Sequence, residues 1–361
     1  NKFLFTYFIS TLSIAVVLFI FVFTSSYFNK KIFQVLDYFS KAGRFEYIYI
    51  FDIGWKAIKS NFYSTKKIDL EINFEDVLIV ENFRKKAIDN GTLGSSENIP
   101  KVKAALIFNN KKSKATLRLK GERKLHFEEK SKSSYKIELK KNKYILGLNK
   151  FSLQKPRVRN YIHEWLFHEM ADDLGLIKIK YDFIKLDING TNQGLYVIEE
   201  SFGKELIERN GRRNGPIFAF DDNMVNYSTK FKVNQNDPLF EIYNKKYWNN
   251  EENISVLKVA SQKLRDFING KRSVEETFDL DMFAKFFAII DATYTYHALS
   301  PGTLRLYYNP INGIFEPIPF NGQRAQPNYN KFNSSFNNDL LIDQKSWWVK
   351  KFFFKNKDLN K

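Results

Sequence analysis

The chain has 361 residues, 43% of them hydrophobic, and a net charge of +17. That is enough for one large domain or two closely joined ones, with material for a sizeable core. It contains no Cys, which excludes disulfides, thiolate metal sites and cysteine nucleophiles, and its four His (126, 163, 168 and 297) are too scattered for a histidine zinc site.

The positive charge runs along the whole chain and forms no single stripe. No helix-turn-helix, zinc-finger or aromatic RNA-binding signature accompanies it, so nucleic acid is not the expected partner. A basic surface that holds an anionic polymer or membrane is a rival reading of the same charge.

The first element is "FLFTYFISTLSIAVVLFIFVF", Phe3 to Phe23, with no charged residue. At ~1.5 Å per residue it spans ~30 Å, the thickness of a bilayer core. Residues 1–28 therefore read as a transmembrane anchor, longer than the apolar region of a cleaved signal peptide. Lys30, Lys31, Lys41 and Arg44 follow it and only Lys2 precedes it, a count that points the remainder inward. Asn at position 1 and the ending "SWWVKKFFFKNKDLNK" read as the two ends of a fragment.

Residues 29–99 form a juxtamembrane and N-terminal strand region, in which "IDLEINFEDVLIV" (68–80) reads as a first strand pair and 90–100 as a loop. "KVKAALIFNNKKSKATLRLKG" makes a hairpin, and "SYKIELK" alternates as a half-buried strand. Residues 157–176 read as one helix, with Ile162, Trp165, Leu166, Glu169 and Met170 at helical spacing and Gly175 as its stop. "YDFIKLDINGTNQGLYVIEE" is a second hairpin, with glycines where positive φ is needed. "FGKELIERNGRR" begins a helix; 254–270 and 280–299 are helices; and "RLYYNPINGIFEPIPFNGQ" is a third hairpin. Strands come first and helices enter later, an α+β arrangement without internal repeats.

Three stretches carry a resemblance. "LNKFSLQKPRVRNYIHEWLFHEMADDLGL", "YDFIKLDINGTNQGLYVIEESFGKELIERNGRRNGPI" and "HALSPGTLRLYYNPINGIFEPIPFNG" follow the order and spacing of the CotH-type (spore coat protein H-like) atypical kinase family. The chain resembles that family over about residues 100–325. The resemblance implies a distant protein-kinase-like, two-lobed domain over 100–330, followed by a C-terminal extension, 331–361. It implies ATP and Mg²⁺ as cofactors, and transfer of the γ-phosphoryl to Ser or Thr of a protein substrate or cell-envelope partner. Such substrates are usually exported, which sets the soluble domain outside the cytoplasm despite the charge count.

Phosphoryl transfer is mostly positioning and charge neutralisation, so each role asks for a particular side chain. The resemblance puts Lys136 on a strand that carries a basic residue facing the phosphates. Arg118 and Lys120 are rivals, and Gly121 offers close backbone approach. Glu200, or its neighbour Glu199, would hold that cation; the bland alternative is that both acids start the next helix. Arg213, with Arg212, would clamp phosphate or else sit in a solvated loop. Asp291, inside the apolar "FFAIIDATY", is either a metal-binding or catalytic acid or a residue on the helix's wet face. His297 and Arg305 flank the turn into the third hairpin.

The departure lies at Asn321. Where the family has the metal-binding Asp after the "YYNP" hairpin, this chain has a neutral amide, and Pro301, Gly302 and Thr303 replace a Trp-His-Asn. Asn offers Mg²⁺ a carbonyl oxygen but no charge. Two readings follow. One is an active kinase with an altered metal site, its charge supplied by Asp291, Asp221 or Asp222. The other is a pseudokinase that keeps the fold for binding or assembly.

Overall fold

The computed structural model describes residues 65–94, 98–121, 123–129, 132–140, 143–220, 240–300 and 302–322. The apolar segment 3–23, Asp221, Asp222, Pro301 and the extension 331–361 lie outside the described residues. Among the described residues no helix is long and apolar enough to cross a membrane.

The first half is a closed barrel. Its strands are β1 (Lys67–Glu71), β2 (Val102–Phe108), β3 (Lys111–Leu119), β4 (Tyr135–Leu139), β5 (Lys150–Gln154), β6 (Tyr181–Ile188) and β7 (Thr191–Glu200), in the order β1-β2-β3-β4-β5-β7-β6. Neighbours are antiparallel except β1 and β6, whose parallel pairing closes the ring. Side chains alternate along each strand, so Ala115, Leu117, Leu119, Ile137, Leu139, Phe151 and Leu153 fill one core. The β2–β3 hairpin turns at Asn109 and Asn110, with φ of 48° and 60°; the β6–β7 hairpin turns at Asn189 and Gly190, with φ of 49° and 76°. Paired positive φ values match the twist of the flanking strands, and Asn and Gly tolerate them best.

In this half three sequence expectations change. Residues 68–80 are not a strand pair: β1 ends at Glu71 and helix α1 (Phe74–Asn90) follows. Glu75 and Asp76 suit its positive N-terminal end, Gly91 (φ 73°) stops it, and Val80, Arg84 and Ala87 share its buried face. Residues 157–176 are not one helix. A 3₁₀ turn at Pro156–Arg159 ends in left-handed Asn160 and Tyr161, and helix α2 runs His163–Asp173.

The third change concerns which face of α2 is buried. Ile162, Trp165 and Leu166 are exposed by 65%, 37% and 42%, while Glu164, Phe167, His168 and Ala171 are buried. Both stripes have helical spacing. The polar one goes inside because Glu164 and His168 partner each other, which lowers the cost of burial.

The second half contains α3 (Lys204–Arg209), β8 (Ile217–Phe220), β9 (Phe240–Ile242), α4 (Lys245–Trp248), α5 (Ile254–Ile268), α6 (Leu280–Thr293), β10 (Arg305–Asn309) and β11 (Ile314–Ile318). An antiparallel sheet in the order β11-β10-β8-β9 packs with α5 and α6 around a Phe-rich core. Phe218 meets Phe315 edge-on at 5.6 Å and Phe278 meets Phe267 at 4.7 Å, the geometry that ring quadrupoles favour. Phe167 carries α2 into this second core, so α2 touches both halves. The helix expected over 280–299 stops at Thr293 because Tyr294 is left-handed; a 3₁₀ turn, Tyr296–Leu299, follows.

Gly215, just before β8, lies hard against β10: a Cβ there would fall 2.1 Å from the Tyr308 carbonyl oxygen. Backbone cannot yield as a side-chain end does. Gly215→Ala is expected to cost at least about 1–3 kcal/mol, read as a fall in the urea midpoint.

Candidate functional site

The barrel's inward alternation leaves an outward row. Register aligns Arg118 with Lys136, Lys136 with Ser152, and Ser152 with Glu199, across β3, β4, β5 and β7. Lys120, just past β3, adds a third cation, and its Nζ donates to Glu199 Oε1 at 2.5 Å. Gln154 Nε2 donates to the other carboxylate oxygen at 2.6 Å. Burial alone would raise the Glu199 carboxyl, but Lys120 and Arg159 outweigh it and hold the group at about 2.

Lys136 Nζ donates to Ser201 Oγ. Burial and then Lys120 push its ammonium down to about 7, against the pull of Glu199; Arg118 pushes the same way. Arg118 donates to the Leu119 carbonyl at 3.2 Å, and burial lowers its pKa also. Lys120, Arg159 and Lys136 thus crowd one carboxylate, with Arg118 beside Lys136, an arrangement that favours an added anion.

A buried network adjoins the row. Arg159, at the end of the 3₁₀ turn, donates from Nη1 to Asn321 Oδ1. Its Nε lies 3.7 Å from Glu199 Oε2, and its guanidinium sits 5.3 Å from the centre of the Phe320 ring. Asn321 has φ 62°, a left-handed conformation that Asn tolerates, and its N–H donates to Glu164 Oε1 at 2.9 Å. That same oxygen is 3.3 Å from His168 Nε2. Burial would raise the Glu164 carboxyl, but His168 and Arg159 bring it down. The next residue, Gly322, packs so closely on Phe167 that a Cβ would fall 2.4 Å from the ring, and its carbonyl lies 2.8 Å from His163 Nδ1. The segment after β11 is thereby fastened to α2.

A cleft of about 1150 Å³ opens beside the row. Thr116, Glu138 and Lys150, the next outward positions on β3, β4 and β5, form one wall; Phe202 and Tyr243 also line it. Ser201, the partner of Lys136, lies on its surface, so the Lys136 head is one hydrogen bond behind the cleft wall. Such a volume accommodates a nucleotide-sized ligand.

Of the residues expected from the sequence, Arg118 and Lys136 stand side by side, and Asn321 reaches their carboxylate through Arg159. Glu200 does not join them. It points to the opposite face of β7, where it lines the cleft and accepts from Arg209 and from the Lys180 N–H at 3.0 Å, and Glu199 takes the cation of the row instead. Arg213 is exposed, and its carbonyl accepts from the Tyr307 hydroxyl at 2.5 Å. Arg212 is a fastener: Nε donates to Glu316 at 2.9 Å and Nη2 to the Gly175 carbonyl at 2.9 Å.

Asp291 lies on the exposed side at the end of α6 and accepts from the Tyr296 hydroxyl at 2.8 Å. The apolar run around it is the helix's other face. Arg305 is buried against Phe202, Tyr243 and Phe320 and donates to the Tyr243 hydroxyl at 2.7 Å, so it backs the cleft wall. Gly121 (φ 107°) makes room for the buried His126 ring, 2.1 Å from where its Cβ would be. The His297 carbonyl accepts from the Thr303 hydroxyl at 2.5 Å.

Arg159 and Glu164 were not expected. Both lie inside "RVRNYIHEW", and their signal was a charge on a face that looked solvated once the wrong stripe of α2 was taken as the core.

The family described as CotH kinase protein matches residues 117–353, more than half of the chain. This chain belongs to the CotH kinase family. No curated protein matches it. The match takes in Arg118, Lys120, Lys136, Arg159, Glu164, Glu199 and Asn321, the whole row and its buried network. The barrel needs more than the matched span, because β1 and β2 precede residue 117 and β1 closes the ring.

For a CotH kinase the donors here do not fit Mg²⁺. That ion wants carboxylate oxygens in a tight octahedral set. The Asn321 amide oxygen is taken by Arg159, one Glu164 oxygen by the Asn321 N–H and His168, and Glu199 by Lys120, Gln154 and Arg159, which leaves the second, buried Glu164 oxygen as the one open carboxylate donor of the network among the described residues. Among the described residues no three His, Cys, Asp or Glu side chains group as a metal would need.

Proposed function

We propose that this CotH-family chain is a kinase-like module that holds a nucleoside polyphosphate, with phosphoryl transfer impaired at Asn321. Its apolar segment, Phe3–Phe23, tethers it to a membrane, with the folded domain outside the cytoplasm. In this reading the barrel is the nucleotide-facing lobe and the Phe-rich half the second lobe. One observation carries it: Lys120, Lys136 and Arg159 gather around Glu199, with Arg118 beside Lys136, on strands whose next outward residues wall a nucleotide-sized cleft. Cations on the phosphates, held by a carboxylate, are what phosphoryl binding requires. ATP would place its phosphates on this row, and a protein or cell-envelope partner would meet the module at its surface.

Neutral Asn321 is what supports impairment rather than full activity: its side-chain oxygen accepts from Arg159, and the one described acid beside it, Glu164, is engaged through Oε1 with the Asn321 N–H. The expected result is that millimolar ATP raises the melting temperature while labelling of the chain itself, or of a Ser-rich protein, stays at background. Rapid labelling would instead establish an active Ser/Thr kinase. No thermal shift, together with salt-sensitive binding to a polyanion, would favour the basic surface-binder reading.

A further inference from the structure

We infer that this site takes the polyphosphate of a nucleotide on protein cations alone, with no divalent metal between phosphate and protein. The inference rests on the proposed nucleotide reading and specifies its chemistry. Its first ground is the donor set. Among the described residues both Glu199 oxygens and one Glu164 oxygen already have partners, and the amide at Asn321 accepts from a guanidinium. A metal would have to break those bonds, and the one carboxylate oxygen of this network still open among the described residues is Glu164 Oε2, too few for an octahedral ion.

The second ground is charge. Among the described residues the row and its network hold four cations, Arg118, Lys120, Lys136 and Arg159, and two carboxylates, Glu164 and Glu199, an excess of two positive charges. The adjoining outward positions do not correct it, because Glu138 is paired with Lys150 at 2.9 Å. An excess of two is also what Mg²⁺ would bring to a polyphosphate. A dication added here would be repelled by the cations that a phosphate chain would neutralise.

The third ground is the supply of donors. Arg118 offers a planar fork suited to phosphate oxygens. Among the described residues the Lys136 ammonium has one hydrogen-bond partner, a hydroxyl. Ser152, in the middle of the row, is fully buried, and its hydroxyl has no hydrogen-bond partner among the described residues. These three lie on adjacent strands in direct register.

The test is calorimetric titration of the full chain in detergent with ADP, and separately with inorganic tripolyphosphate, in excess EDTA and in excess MgCl₂. The expected affinity in EDTA equals or exceeds that in magnesium, and tripolyphosphate competes with ADP. Arg118→Gln or Lys136→Met should weaken binding in EDTA by about tenfold or more, the loss of one charge-assisted hydrogen bond. Should a variant fail to fold, the competition in wild type carries the same information. Binding confined to the magnesium buffer would overturn the inference and leave the nucleotide reading standing. Absence of binding in both buffers would overturn the nucleotide reading itself.

Discussion

Arg159→Met is expected to cost about 3–5 kcal/mol of folding stability, the usual penalty for stripping one partner from a buried ionic network. Arg159 is 6% exposed and serves three neighbours: the Asn321 amide oxygen, the Glu199 carboxylate and the Phe320 ring. Methionine can fill much of the volume and still pack on Phe320. It leaves the Asn321 oxygen without its donor and Glu199 with one cation fewer, in a place that water reaches poorly. For a domain of this size the midpoint of thermal unfolding should fall by roughly 10 °C. Arg159→Lys separates charge from shape: it keeps the cation but loses the fork that reaches Asn321 and Glu199 together, so its loss should be intermediate. A change below about 1 kcal/mol for Arg159→Met, within the range of exposed ion pairs, would show that the network does not hold the two halves together.

The same network explains how far the sequence could be read. Strands with strict alternation were legible: in "SYKIELK" every second residue is apolar, and that alternation alone aims Lys136 outward. The hairpin turns were legible because Asn-Asn and Asn-Gly have few other uses between apolar runs. The row itself was half legible. Arg118 and Lys136 stood out as cations on strands, yet their adjacency depends on register, which long-range pairing decides. The choice between Glu199 and Glu200 could not be made from a pair of adjacent acids: one residue's shift flips the face, and only the pairing of β5 with β7 fixes it. Helix α2 was misread for the opposite reason. Its exposed face carries Ile162, Trp165 and Leu166, so hydrophobicity pointed outward, and only the partners of Glu164 and His168 reveal the inner face. Strand β1 fell within the expected strand pair, but its parallel pairing with β6 was not legible because that partner lies more than a hundred residues away.

Phosphate affinity should fall steeply as pH rises above neutrality, and Lys136 is the reason. Its ammonium is depressed to about 7 by burial and Lys120, with Glu199 opposing and Arg118 and Lys150 adding to the depression; Ser201 supplies only a neutral hydroxyl. A bound polyphosphate stabilises the charged form and so raises this pKa, which means that binding above pH 7 takes up a proton. The dissociation constant should then climb by up to about tenfold per pH unit from 7 until the pKa of the complex is reached, roughly hundredfold by pH 9 if that value lies higher. Titrations in buffers of different ionisation enthalpy would count the proton directly. Stability runs the other way in the free protein. The unfolded chain keeps the lysine proton up to its ordinary 10.5 whereas the fold releases it near 7, so this group makes the fold more stable as pH rises through that interval. Lys136→Met should therefore stabilise the free protein more at pH 6 than at pH 10, while flattening the pH dependence of phosphate binding. A variant that binds tripolyphosphate with the wild-type pH profile would move the titrating group elsewhere and remove Lys136 from the phosphate site.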